Sequence, residues 1–358
     1  MKHLLSIILF FLIFIACKKD EVRETNVLQD NHVIPSNITT PLPPYSWRQV
    51  STDFPNQYPY TAFNTPTLIM KANEDVYLLA GSLLEKMFRF NPTLKKFEPY
   101  TPPPTNSVGF TLFSVGHQYL FSYGSNIYGG LADNGPDTSF FFSIDPQTAI
   151  IQQLARFPGT YSGDAISFVL GNKGYVVSGY TATETSKVWA YDFAANTWTY
   201  IGDSPLGKRS GAIGVVVNNK IYMGLGYETT NFNGQTIRIY KNDWIEYTPG
   251  SSYNAVKANF PGTGRINAKA FVINNSLYLG FGQNLNTQTR FKDLWRYNSS
   301  SNTWTRQADW PGIYGNDDAW FGGTVDNVGI FSVGSTGYLV KGGLNQFWHF
   351  TNSPFVIN

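Results

Sequence analysis

The side chains best suited to chemistry in this sequence share a fixed spacing. Each lies thirteen or eleven residues before a tyrosine that recurs along the chain, and the set comprises Arg209, Arg265, Asp164, Asn106, Asn267 and Asn327. A guanidinium presents a planar fork of donors that matches a carboxylate, and carboxylate and amide groups hydrogen-bond sugar hydroxyls. We therefore expect these six residues to form a binding site for a sugar or a carboxylate.

Aromatic side chains near these positions favour a sugar. Tyr128, Tyr227 and Phe232 fall in predicted loops, where they are placed to stack on the apolar face of a sugar ring. The alternative is that polar residues recur here because they line a water-filled channel of the fold and bind nothing. The residues alone leave both interpretations open.

The usual catalytic and metal-binding motifs are missing from the sequence. It has no Gly-x-Ser-x-Gly elbow, no His-Glu-x-x-His pair and no Walker loop. Only four histidines occur, and they are scattered, so we predict no metal site and no cofactor. The loop at residues 131–139 holds Asp133, Asn134 and Asp137, which suit either a calcium contact or an ordinary turn. A net charge of +2 without a basic patch predicts no nucleic-acid partner.

A nine-residue unit centred on a tyrosine repeats six times. The segment "NNSLYLGFG" at residues 274–282 matches "NNKIYMGLG" at residues 218–226, and alignment on the tyrosine recovers four more copies. An apolar alternating run precedes each tyrosine, and aromatic runs such as "LWRYN" follow it, which predicts four short strands per unit. The anchors, spaced 42 to 60 residues apart, are Tyr77, Tyr119, Tyr175, Tyr222, Tyr278 and Tyr338.

Three features of the repeat resemble the kelch family of β-propellers. They are the glycine after the second strand, the Trp-x-Tyr of the third strand and the tryptophan of the fourth, and the copy at residues 294–304 follows the pattern closely. The second copy departs from it, with Tyr123 where glycine is expected. The resemblance covers nearly all of residues 45–350 and implies an all-β fold, a six-bladed propeller.

Kelch propellers include galactose oxidase and the bacterial sialic acid mutarotases, and this chain is similar to both in repeat pattern. The copper-radical chemistry of galactose oxidase needs histidine and tyrosine ligands and a cross-linked cysteine, and it is excluded because Cys17 is the only cysteine. Mutarotation needs acid–base help and a grip on the substrate carboxylate. Arg209 and Arg265, with Asp164 or Glu228 as proton carrier, would meet that need.

The two ends of the repeat array predict how the ring closes. Residues 47–55, "WRQVSTDFP", resemble the outer-strand segment "WTRQADWP" but have no blade of their own. We predict that this strand completes the sixth blade, because closure removes exposed sheet edges. The alternative is that residues 351–358 supply the strand.

Loop lengths predict which face of the propeller carries the functional site. The loops between second and third strands are long, at residues 125–139, 227–242 and 283–292, whereas the other turns within blades are short. These loops emerge on the same face as the connections between blades, and binding residues concentrate on extended loops held by a rigid scaffold. We expect function on this loop-rich face.

The N-terminus predicts export and a lipid anchor. Residues 1–16 join a basic start to a short apolar run, as a signal peptide does. "FIAC" resembles the lipobox of bacterial lipoproteins, whose cysteine (here Cys17) is lipidated, and residues 19–21 resemble the surface-export signal of Bacteroidetes lipoproteins. Residues 17–44 are polar and end in a proline-rich stretch, which predicts a flexible tether before the domain at residues 45–358.

These features together predict an outer-membrane lipoprotein, exposed at the surface or facing the periplasm. We expect a monomer that works as a binding module and engages a partner protein or a glycan through the loop-rich face. The alternatives are an enzyme of sialic acid mutarotase or epimerase type and a purely structural envelope protein. Acidic and arginine side chains that converge in one central pocket would favour the enzyme, and a broad aromatic face would favour the binding module.

Overall fold

Short antiparallel strands joined by polar turns make up the regular structure of the chain where it is described. The computed structural model describes residues 45–51, 68–80, 86–100, 120–130, 140–148, 150–159, 164–180, 183–251, 254–314, 328–341 and 346–351. Within these ranges no helix is long and apolar enough to cross a membrane. The predicted signal peptide, Cys17, the tether and the possible calcium loop lie outside them and stay predictions.

The strands form six four-stranded antiparallel sheets, which we call blades. The first strand of the chain, β1 (Ser46–Ser51), precedes blade 1. Blade 1 consists of β2 (Leu68–Ala72), β3 (Asp75–Ala80), β4 (Lys86–Asn91) and β5 (Lys96–Tyr100). Blade 2 consists of β6 (Leu120–Tyr123), β7 (Asn126–Gly130), β8 (Phe141–Ile144) and β9 (Ile151–Gln153). Blade 3 consists of β10 (Ile166–Leu170), β11 (Lys173–Val177), β12 (Lys187–Asp192) and β13 (Thr197–Asp203).

The later blades follow the same plan, and two of them carry an extra hairpin. Blade 4 consists of β14 (Ile213–Val217), β15 (Lys220–Gly224), β18 (Trp244–Tyr247) and β19 (Ala255–Val256), with the hairpin β16 (Tyr227–Phe232) and β17 (Gln235–Tyr240). Blade 5 consists of β20 (Lys269–Ile273), β21 (Ser276–Gly280), β24 (Leu294–Asn298) and β25 (Thr303–Arg306), with the hairpin β22 (Gln283–Asn284) and β23 (Thr289–Arg290). Blade 6 consists of β26 (Val328–Val333), β27 (Thr336–Lys341), β28 (Gln346–Thr351) and β1.

The first strands of the blades surround the centre of the molecule. Each of these strands contacts the first strand of the next blade, in the closed series β2, β6, β10, β14, β20, β26 and back to β2. Only a ring of six blades gives such a series, because the first strand of an open array would lack one neighbour. The six-bladed all-β propeller predicted from the repeat is confirmed.

Asparagine makes the tight turns between first and second strands. Asn218 and Asn219 in blade 4, and Asn274 and Asn275 in blade 5, all have φ between 47° and 59°. Two consecutive left-handed residues define the type I′ hairpin turn, whose twist matches that of the flanking strands. Asparagine tolerates this conformation better than other non-glycine residues, so "NNK" and "NNS" build short turns as predicted.

The recurring tyrosine packs against an aromatic ring on the neighbouring first strand. Phe271 lies directly opposite Tyr278 in the register of β20 and β21, and the two rings stack with centroids 5.2 Å apart. Stacked pairs at the same place join Phe331 to Tyr338 at 5.0 Å and Phe168 to Tyr175 at 5.2 Å. In blades 3, 5 and 6 the tyrosine therefore helps to fix the pairing of the two inner strands. In blades 1 and 4 the residues opposite the tyrosine are Met70 and Val215.

The prediction of Tyr119 as the anchor of blade 2 is wrong. β6, which begins just after this residue, is the first strand of its blade, and the second strand is β7. Tyr128 lies opposite Phe121 in this pair and occupies the anchor position. The predicted loop at residues 125–139 is wrong at its start for the same reason, since Ser125 lies in the turn between β6 and β7. The sequence signal that was missed is Phe121, an aromatic residue seven positions before Tyr128.

The two ends of the repeat array meet in blade 6, as predicted. β1 pairs antiparallel with β28 and completes the sheet as its outer strand. The Trp47 indole nitrogen donates to the Ala308 carbonyl at 3.1 Å, and Trp304 of blade 5 donates in the same way to Ala258 at 2.9 Å. Trp47 therefore takes the place of the fourth-strand tryptophan, and the N-terminal strand is a true member of the repeat.

We predict that Trp47→Ala lowers the free energy of unfolding by about 3–5 kcal/mol, the usual cost of truncating a buried tryptophan. Trp47 is buried, with its ring edge-on to Phe271 and Phe281. Trp47→Phe keeps most of the ring contacts and loses the indole hydrogen bond, so it should cost about 1 kcal/mol. Denaturant unfolding measures both values. Wild-type stability in the alanine variant would show that β1 does not hold the ring closed.

A buried histidine lies in the same closing sheet. His349 of β28 sits opposite Arg48 of β1 and Tyr338 of β27, and its side chain is buried. Burial, together with the positive charges of Lys95 and Arg48, lowers the pKa of His349 to about 4. The imidazole is therefore neutral in the folded protein at neutral pH. Its protonation would place a buried positive charge near those of Lys95 and Arg48.

The folded protein should lose stability in acid because of this histidine in blade 6. Between pH 6.5 and 4 the unfolded chain binds a proton on His349 that the folded protein does not bind, so the stability falls as the pH falls through this window. The difference in pKa corresponds to about 3 kcal/mol at its full extent. We predict that His349→Gln removes this part of the pH dependence, measured by urea unfolding at pH 7 and pH 4. Parallel pH profiles for the two proteins would contradict the prediction.

Candidate functional site

Arg265, one of the predicted site residues, clamps the first strand of blade 5 to the third. It is buried beside the start of β20, and its Nη1 and Nη2 atoms donate to the two carboxylate oxygens of Asp293 at 2.5 and 3.0 Å. Nη1 and Nε also donate to the carbonyls of Phe281 and Thr263. Burial raises the pKa of Asp293, but the hydrogen bonds and charge of Arg265 outweigh that effect and lower it overall.

Arg209 makes the same clamp in blade 4. Its Nη1 and Nη2 atoms donate to Asp243 at 2.9 Å each, and to the carbonyls of Leu225 and Leu206 at 2.8 Å each. Asp243 and Asp293 both stand immediately before the third strand of their blades. A ligand carboxylate would have to displace an aspartate to use either guanidinium fork.

The residues predicted two positions further along form part of a ring at the mouth of the central channel. The Gly211 nitrogen donates to the Asp164 carbonyl at 3.0 Å, and the Asn267 nitrogen donates to the Gly211 carbonyl at 3.3 Å. These three residues come from blades 3, 4 and 5, and all have φ between 51° and 66°. The left-handed conformation explains their types, since glycine, asparagine and aspartate adopt it most readily.

Side chains at this ring, which we call the mouth ring, differ from blade to blade. The Asp164 carboxylate accepts a hydrogen bond from the Ser210 hydroxyl at 3.4 Å. Gly211 has no side chain, and a Cβ there would lie 2.6 Å from Ile266. Asp164 and Asn267 therefore stand on either side of Gly211, which has no side chain. Asn106 and Asn327 lie outside the described residues.

The hairpin of β16 and β17 stands beside the mouth ring and is tied to both neighbouring blades. Thr229 donates to Glu184 of blade 3, whereas Asn286 of blade 5 donates to the Arg238 carbonyl at 2.9 Å. Lys241 at the base of the hairpin donates to Glu228, the alternative proton carrier. Sequence reasoning missed Glu184 and Lys241, because nothing in the repeat pattern indicates which loop carboxylates and amines meet.

The three aromatic residues expected to stack on a sugar differ in accessibility. Tyr227 is buried and packs on Tyr240, with ring centroids 5.7 Å apart. Tyr128 lies in β7 and not in a loop, and its ring packs on Phe193. Phe232 at the tip of the hairpin is 63% exposed. Of the three, Phe232 alone presents most of its surface to solvent.

The closed ring defines a class of protein, the six-bladed β-propeller. No family model matches the chain. It is 24% identical, over an alignment of 259 positions, to the N-acetylneuraminate epimerase of Pasteurella multocida (strain Pm70). The alignment covers 62% of this chain and 66% of that protein, just under two thirds. This protein is thus a propeller distantly related to N-acetylneuraminate epimerase.

A structural relative supports the fold. The solved structure described as "Structure of YjhT" matches with a TM-score of 0.52 over 68% of this chain and 83% of that one. The two sequences are 14% identical. At that identity, the likeness bears on the architecture alone.

The clamps predict a large effect on stability. We expect Arg265→Ala to cost about 3–5 kcal/mol, because it leaves Asp293 as a buried charge without its partner. Arg209→Ala should cost less, since the Asp243 side chain is 38% exposed and that of Asp293 12%. The double variant Arg265→Met, Asp293→Leu should recover most of the loss by removing both charges. Denaturant unfolding tests this order, and equal, small losses in both alanine variants would contradict the clamp role.

Proposed function

We propose that the mouth ring binds an acidic sugar and interconverts its anomers, as a mutarotase or epimerase of the sialic acid type would. The distant similarity to N-acetylneuraminate epimerase carries this proposal. The mouth ring supports it, because it places a carboxylate from blade 3 and an amide from blade 5 on either side of Gly211 in blade 4. A propeller mouth held by backbone hydrogen bonds is a rigid frame for such groups.

Asp164 is the proton carrier in this proposal. Its carboxylate takes the proton from the anomeric hydroxyl while the bond between the anomeric carbon and the ring oxygen breaks, and it then gives that proton to the ring oxygen, which becomes a hydroxyl. In the reverse step Asp164 takes the proton from this hydroxyl and gives it to the carbonyl oxygen. Closure on the opposite face of the carbonyl then gives the other anomer and restores Asp164. The Asn267 amide hydrogen-bonds the sugar and holds it in place. Glu228 is less suited to the role, because Lys241 binds it as an ion pair.

We predict that Asp164→Asn slows catalysed anomer exchange by roughly 10²–10⁴-fold, the range typical of a lost general acid–base. Exchange is followed by NMR on N-acetylneuraminate dissolved as a single anomer. Asparagine keeps the fold, because Asn267 already occupies the equivalent position with φ 55°. Asp203→Asn, an exposed carboxylate at the end of β13, is the matched control and should exchange at the wild-type rate.

Other outcomes of this experiment separate the enzyme from the binding module. No acceleration by the wild-type protein over buffer would rule out the mutarotase proposal for this substrate. Binding of the sugar without acceleration would support a binding module instead. The hairpin of β16 and β17 favours that second function, since Phe232, Ile237 and Ile239 are exposed on it and face the same side by strand register.

A further inference from the structure

A cleft of about 460 Å³ opens on the loop-rich face of blade 5. Its walls come from the connection that leads into β20, from the end of the β22–β23 hairpin and the start of β24, and from the end of β25. The lining residues that carry charge are Arg265, Arg290, Lys292, Arg306, Asp293 and Asp309. The volume is within the range of small-ligand sites. We call this the blade-5 cleft.

All four cationic side chains of the cleft make cation–π contacts with aromatic rings. The Arg265 guanidinium carbon lies 3.9 Å from the centre of the Phe291 ring, and that of Arg306 lies 5.3 Å from the Trp295 ring. Arg290 and Lys292 stand over Tyr314 and Trp310 in the same way, at 5.7 and 5.9 Å. A ring face attracts a cation without neutralising it. The cations are therefore positioned while their charge is kept.

The cleft keeps an excess of positive charge. Its four cations face two carboxylates, a formal excess of two charges. Asp293 is bound to Arg265 inside the clamp, and Asp309 accepts two hydrogen bonds from Arg306 at 2.8 Å. The Arg306–Asp309 pair is about half exposed, so water screens it and it contributes little to stability. A cluster of cations in a concave site favours an anion.

Blade 4 shows which of these residues the fold requires. It keeps the clamp as Arg209 and Asp243, so the clamp belongs to the repeat. The other cleft residues change: in the strand register, Ile245 and Val256 of blade 4 correspond to Trp295 and Arg306 of blade 5. Asn242, just before Asp243, stands where blade 5 has Lys292. Blade 4 forms the same sheet without these cations, so the repeat does not account for their presence in blade 5.

We propose that the blade-5 cleft is a binding site for an acidic sugar, with Lys292 and Arg306 at its carboxylate and the edge of Trp295 against its ring. Arginine and lysine bind carboxylates through charge-assisted hydrogen bonds, and the Trp295 indole, which lines the cleft, supplies apolar contact to a sugar. Arg265 lines the cleft while Asn267 lies in the mouth ring, about 7 Å further along the strand direction. The site adjoins the mouth but does not depend on catalysis there.

Calorimetric titration of the full-length protein with D-glucuronate, and with D-glucose as the uncharged counterpart, tests this proposal. Blade 4 supplies the variants, because Lys292→Asn and Arg306→Val install residues that the repeat already accommodates. We expect glucuronate to bind and glucose to bind ~10-fold more weakly or not at all, and the double variant to weaken glucuronate binding by ~10-fold or more. Added salt should weaken binding as well.

Two controls separate the cleft from the rest of the loop-rich face. Lys187→Asn removes an exposed lysine at the start of the third strand of blade 3 and should leave glucuronate binding unchanged. The titration measures binding and not anomer exchange, so a failure of the mouth chemistry does not affect this test. Unaltered thermal unfolding of the double variant shows that the fold is intact. No glucuronate binding, equal binding of glucose, or wild-type affinity in the double variant would each overturn the proposal.

Discussion

The pairing of β1 with β28 is the constraint on which the rest of the structure depends. Without this pairing β28 would present an unpaired sheet edge, and in an open array the first strand of an end blade would lack a neighbour. Pairing the N-terminal strand with the C-terminal blade removes both defects at once, and it brings residues 46 and 351 together. The ring then fixes the positions of all six first strands, and with them the channel mouth.

Within that ring, the blades are held at the loop-rich face by polar contacts and along their length by aromatic packing. The clamps of Arg209 and Arg265 join the first and third strands where these strands begin, at the loop-rich face. Tyrosines such as Tyr278 join the first and second strands further along their length. The mouth ring adds backbone hydrogen bonds from one blade to the next. Because these contacts are made inside the protein, the loop-rich face can carry charged groups without being distorted by them.

Comparison of the repeats with one another separates structural residues from those open to function. The clamp occurs in two blades and satisfies its own buried charges, so its arginines are explained by stability. Lys292 and Arg306 of the blade-5 cleft and Asp164 of blade 3 differ from their counterparts in blade 4, which are Asn242, Val256 and Gly211. A repeat protein provides this control internally, since each blade is a solution to the same packing problem.

The sequence by itself determined the architecture. Strand alternation, the spacing of the tyrosines and the unpaired segment at Trp47 are local patterns, and a propeller repeats one local unit until the ring closes. The same patterns misplaced the anchor of blade 2, because Tyr119 and Tyr128 both have apolar neighbours, and strand pairing shows that Tyr128 is the anchor. Tertiary structure alone decided the roles of the charged residues. Arg265 meets Asp293, and the cleft gathers side chains from three separate segments, because long-range contacts bring them together and no spacing along the chain records those contacts.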